Sequence, residues 1–88
     1  MMYLVHWYIE PGTRDEAYAR FKKTGHNAPP EVKIVKALFT LHQNEGWLVV
    51  ESADPLPVGK WLHNWSDLCE YEVIPVVDEE GIRAIAYA

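Results

Sequence analysis

Four histidines, one cysteine and thirteen carboxylates are the side chains in this 88-residue sequence best suited to moving protons or gripping a ligand. Three of those on sheet-forming segments stand out. His6 lies in MYLVHWYI, His42 ends VKIVKALFTLH, and Glu51 closes GWLVVES. A histidine titrates near neutral pH, so His42 with Glu51 beside it would suit a general base or a ligand anchor, with His6 in support. The bland alternative is a hairpin-end histidine bonded to backbone or to a partner. The same three residues could form a two-histidine, one-carboxylate metal site, but no local ligand spacing supports it, and we expect no metal. A haem would need an axial histidine in an apolar cavity. His63 falls opposite the tryptophan stripe described next and is expected to face solvent, so no cofactor is expected.

Trp61 and Trp65 stand four residues apart, and Val58, Trp61, Leu62 and Trp65 occupy i, i+3, i+4 and i+7 of one helical stripe. With Trp7 and Tyr71 they could line an aromatic ligand pocket between that helix and a sheet. Such stripes are more often plain core, with each buried indole N–H seeking a partner. Cys69 has no His or Lys neighbour in sequence and reads as an inert thiol. G-x-S-x-G and glycine-rich phosphate loops are absent.

These groups need elements to position them. Residues 2–9 alternate as a strand. Thr13 and Glu16 fit a capping box for a helix running to Thr24, stopped by Gly25, with Ala17, Tyr18 and Phe21 inward. An extended loop with Pro29 and Pro30 follows. Residues 32–42 and 46–52 form a hairpin about Gln43–Gly46. Asp54 and Pro55 open a second helix to Trp65, and 70–77 form a last strand that Pro75 assigns to a sheet edge. The tail 78–88 is read as helical and as contacting a partner. The order is α+β, a ferredoxin-like βαββαβ domain over residues 1–88. Two helices cover one face of a four-stranded antiparallel sheet, with strands one and three central and parallel to each other.

Hairpin pairing of His42 with Trp47 would put Val35, Ala37, Phe39, Leu41, Leu48 and Val50 under the helices, joined by Val5, Trp7 and Val73. Leu38, Val49, Glu51, Ile74, Val76, His6 and His42 would then share the bare face. That face is too apolar for water and too polar for a dry core. A homodimer packed sheet on sheet resolves the conflict. One cysteine allows no internal disulfide, so a partner copy is also the expected source of extra stability for so small a domain.

The charge of -5 and the lack of a Lys/Arg run argue against nucleic acid and an anionic membrane surface. Arg20, Lys22 and Lys23 read as solvated charge at a helix end. No apolar run reaches the ~20 residues that span a bilayer, and MMYLVHWYIE lacks the basic start of a signal peptide. A soluble, cytoplasmic protein is expected.

WSDL at 65–68, EYEVIPVVDEE at 70–80, and Glu51-Ser52-Ala53-Asp54 after the hairpin resemble the family catalogued as domain of unknown function 3303. The resemblance spans nearly the whole chain, and none of its motifs is a catalytic signature. It implies a dimeric α+β barrel, and it implies that His42 matches a strand-ending histidine. The wider group it implies holds cofactor-free monooxygenases, isomerases, haem-binding enzymes and proteins without known activity, so fold does not fix function. Two readings follow. The first is a homodimeric binding or interaction protein that takes a small apolar or aromatic ligand. The alternative is a cofactor-free monooxygenase-like or isomerase-like enzyme acting on a small aromatic or carbonyl compound.

Overall fold

The computed structural model describes residues 1–87. The chain runs β1 (Met2–Tyr8), α1 (Arg14–Thr24), β2 (Lys33–Phe39), β3 (Glu45–Glu51), α2 (Pro55–His63), β4 (Glu70–Val76) and α3 (Glu79–Ala86), with a 3-10 turn at Pro11–Thr13. One sheet has the order β2-β3-β1-β4, and every neighbouring pair is antiparallel. This is the ferredoxin-like α+β arrangement. The central strands β1 and β3 run antiparallel, not parallel as the sequence reading had them. The hairpin reverses the chain between β2 and β3, so the parallel pairs are β1 with β2 and β3 with β4, each separated by one central strand.

Alternation builds the core. Tyr3, Val5, Trp7 and Ile9 of the first strand segment point one way and are buried, as are Leu48 and Val50 of β3. Val5 and Val50 are 0% exposed, and such burial contributes roughly 1.5–3 kcal/mol per side chain. Ala17 of α1 and Val58, Trp61 and Leu62 of α2 close over them, joined by Trp65 and Leu68 from the turns that follow.

Helix ends follow local chemistry with one exception. Asp54 Oδ1 accepts the Leu56 N–H at 2.9 Å, and Gly25, at φ 65°, donates its N–H to Phe21 O. The exception is the capping box. Thr13 sits in the 3-10 turn and its side chain caps no helix amide. Its hydroxyl bonds Glu10 O at 3.1 Å and Leu68 O at 3.4 Å, so it fastens the turn to the end of the tryptophan segment instead.

The hairpin is shorter than expected. β2 ends at Phe39, residues 40–44 make the turn, and Leu38, not His42, pairs with Trp47. Gln43 supplies the left-handed turn position at φ 71°. Gly46 is not a turn glycine. It lies within β3 opposite Phe39 and Trp7, where a Cβ would run into Leu38 O and the Trp7 ring. The glycine is needed because the indole lies on the strand there.

A bulge at Val35 shifts the phase of β2, so that Ile34 pairs with Val50 and packs on the core while Val35 is 49% exposed. Leu41, in the turn, is fully exposed rather than core. Phe39 and Val73 lie on the helix side as expected. They belong to the edge strands, where the helices leave them half-open.

Among the described residues, no helix lies over the other side of the sheet. Side chains opposite one another share a face, which gives the rows Lys33–Glu51–Met2–Val76, Lys36–Val49–Leu4–Ile74 and Leu38–Trp47–His6–Glu72. Leu38 and Ile74 are 52% and 44% exposed. α3 is helical, with Asp78 capping Gly81 N–H at 2.8 Å. It buries none of its own residues and carries Ile82 and Ile85 in the open.

Candidate functional site

The two tryptophans on the stripe converge on one backbone atom. Trp61 Nε1 donates to His26 O at 2.8 Å and Trp65 Nε1 donates to the same oxygen at 3.2 Å. The indoles therefore satisfy their buried N–H groups and pin the loop after α1 to α2. The His26 ring turns into the aromatic layer, 4.9 Å from the Phe21 centroid and 6.4 Å from that of Phe39. Burial pushes its pKa below the ordinary histidine value, favouring the neutral ring.

Beneath these rings, between the helices and the sheet, lies a cavity of about 60 Å³ that is partly open to solvent. Trp7, Trp61, Trp65 and Tyr71 all line it, so the four residues proposed as a ligand pocket are brought together. Tyr18, His26 and Cys69 also line it. Its polar groups are few. The Tyr18 oxygen is sealed from solvent and has no hydrogen-bond partner among the described residues. Burial raises the pKa of Tyr18, with a smaller contribution from Cys69. Burial likewise raises Cys69, against a lowering hydrogen bond from Tyr71. Tyr71 is driven above its ordinary range by burial first and by Cys69 second. Three protonated, uncharged groups thus line a largely apolar space.

Arg20 closes the rim. Its guanidinium makes two hydrogen bonds to Asp67, at 2.9 and 2.6 Å, donates to Asn64 O at 3.1 Å, and stacks 5.3 Å from the Trp65 ring centroid. Asp67 therefore binds a side chain across the fold. Its pKa is lowered chiefly by the hydrogen bond from Arg20.

The ionisable candidates lie elsewhere. His6 is on the bare sheet face, its ring stacked 4.9 Å from that of Trp47. Its Nε2 is 3.4 Å from Glu45 Oε1 without hydrogen-bond alignment, and its Nδ1 is 3.8 Å from Glu72 Oε2. His42 lies in the 40–44 turn and is exposed. Glu51 is at the far end of β3, ~20 Å along the strand from that turn, and borders an open surface groove of about 600 Å³. The structure does not bring His6, His42 and Glu51 together. Among the described residues, no set of three or more His, Cys, Asp or Glu side chains could hold a metal ion, and no helix is long and apolar enough to cross a membrane.

Sequence reasoning missed His26 and Arg20 and gave Tyr18 only a core role. His26 carried no signal, because a loop residue between two glycine- and proline-marked boundaries has no periodicity. A pair of indoles at i and i+4 facing one way does imply a shared acceptor, and that was the available clue.

With the site in view, the whole chain, residues 1–88, matches the model of one family. The protein belongs to the domain of unknown function DUF3303 family. No curated protein matches the chain, and no solved structure does. Membership carries no activity with it, so the function of this DUF3303 protein must be argued from its own geometry.

Proposed function

We propose that this DUF3303 protein is a homodimeric binding protein, with two copies meeting through their bare sheet faces and the aromatic cavity of each holding a small ligand. The observation that carries this is the unfinished face. Leu38 and Ile74 stand half-open beside Leu4, Trp47 and Val49, whereas on the helix side of the central strands Val5, Leu48 and Val50 are closed. Contiguous apolar surface rimmed by charge marks an interaction site. A second copy suits it because the charges are self-complementary. Lys33 and Lys36 stand on edge strand β2, and Glu70 and Glu72 on edge strand β4. A copy turned about a two-fold axis can set the basic edge of one sheet against the acidic edge of the other. α3, amphipathic and unburied, is free to lie against the same partner.

The enzyme alternative draws less support. An active-site pocket of that kind needs some hundreds of cubic ångströms, the aromatic cavity offers about 60 Å³, and the larger groove beside Glu51 is lined by neither His6 nor His42.

Light scattering on a size-exclusion peak tests the dimer. The expected mass is twice the 10.2 kDa of one chain at micromolar concentration. A single-chain mass there would overturn it.

A further inference from the structure

We propose that the aromatic cavity takes a small uncharged molecule carrying one oxygen, such as a three-carbon alcohol or ketone, with that oxygen in the corner formed by Tyr18, Cys69 and Tyr71. The inference rests on the cavity being a ligand site and specifies what that site selects.

Size sets the first limit. The volume of about 60 Å³ is well under the roughly 150 Å³ of a cavity that holds benzene, and leaves room for a few waters or about four non-hydrogen atoms. An aromatic ring would enter only by displacing wall side chains. Charge sets the second limit. The lining contains no lysine, arginine, aspartate or glutamate, and its one histidine is held toward the neutral form. Arg20, at the rim, is committed to Asp67 by two hydrogen bonds. A carboxylate or ammonium in this space would lose its hydration without gaining a counter-charge.

Polarity sets the third limit. The two indole N–H groups are already spent on His26 O. Tyr18 Oη is not spent: it is shielded from water and unpartnered among the described residues. Tyr71 and Cys69 line the same space. An apolar guest would leave the Tyr18 hydroxyl unpaired, whereas a guest whose oxygen reaches it by a small shift of the cavity wall satisfies it. The partial opening supplies an entry path.

The test is a titration of the ¹⁵N-labelled protein followed at the Trp61 and Trp65 indole N–H resonances. The probes are propan-2-ol and acetone, with acetate as a charged probe of equal size. We expect saturable shifts with propan-2-ol and acetone and none with acetate. Tyr18→Phe should weaken propan-2-ol binding roughly three- to tenfold, the loss of one hydrogen bond. Ala17→Leu, which fills the space from α1, should abolish it, with the backbone amide spectrum checking the fold. Should that variant not fold, Tyr18→Phe alone decides the oxygen's position. Acetate binding as well as propan-2-ol would overturn the ligand class but leave the cavity a ligand site. No saturable shift with any probe would overturn both. Unchanged affinity in Tyr18→Phe would overturn the placement of the oxygen.

Discussion

The two faces of the sheet are made of alternate residues from the same strands, yet one is finished and the other is not. On the helix side Val5 and Val50 are fully buried, the indoles have their acceptor, and the edge-strand positions Phe39, Val73 and Pro75 stay open. On the bare side a tryptophan, a histidine and several aliphatic residues sit half-covered among lysines and glutamates. The helix side carries the closed core. The bare side has the mixed character of a surface that meets another molecule. Core and proposed interface are thereby separated by one residue of strand phase.

Substitutions on the two sides should therefore fail differently. Gly46→Ala has the largest expected effect. Its Cβ would overlap Leu38 O and the Trp7 ring, and the loss should be roughly 3 kcal/mol, the upper range for overpacking. Urea unfolding midpoints measure it, and a loss below about 0.5 kcal/mol would mean that Trp7 does not rest on the strand.

Ile74→Glu on the bare side should leave the unfolding of the monomer nearly unchanged but weaken self-association roughly a hundredfold, because it places an unpaired charge in the contact. Sedimentation equilibrium reads it. A dimer as tight as wild type would remove Ile74 from the interface.

Tyr18→Phe should cost nothing and could stabilise by about 1 kcal/mol, since it removes a buried hydroxyl without a partner among the described residues. Destabilisation by more than that would reveal a hydrogen bond to the hydroxyl.

The smallest effects are in pH dependence, and the sign is fixed by direction. His26 has a folded pKa below its ordinary 6.5, so the unfolded chain binds its proton first. Its contribution is intact above about pH 6.5 and is lost as pH falls through the lower folded value. Asp67, also depressed, contributes above its ordinary 3.8 and loses that contribution only in stronger acid. Melting temperatures of His26→Gln against wild type should differ in slope between pH 7 and 5. Parallel profiles there would contradict the burial of the ring.

The contrast between faces was partly legible in the sequence. Period-two alternation in β1 and the Val58–Trp61–Leu62–Trp65 stripe fixed which side the helices take, because burial leaves a direct pattern in residue type. Register was not legible. Gly46 beside Asn44 carries the composition of a turn, but its real constraint is the indole of Trp7, a contact from 39 residues away in sequence. Taking it as a turn residue moved the His42 pairing by four residues, from Trp47 on His42 to Trp47 on Leu38. An even shift kept the faces correct as far as the bulge, while it removed His42 from the sheet. The Val35 bulge has no glycine or proline to announce it. Thr13 and Glu16 fit a capping box by spacing, yet Leu68 O competes for the hydroxyl and that competitor is visible only once the chain is folded. The aromatic walls of the cavity were readable as a stripe. Its polar groups were not, because Tyr18 of α1 joins Cys69 and Tyr71, at the start of β4, from 51 residues away in sequence.

The most direct test of the separation between faces is a half-filtered NOE measurement on a mixture of isotope-labelled and unlabelled protein. Contacts between copies should arise from Leu38, Trp47, Val49 and Ile74, and none from Val5, Val50 or Trp61. Intermolecular NOEs from the helix side, or their complete absence at a concentration where the protein has been shown to be dimeric, would contradict the account.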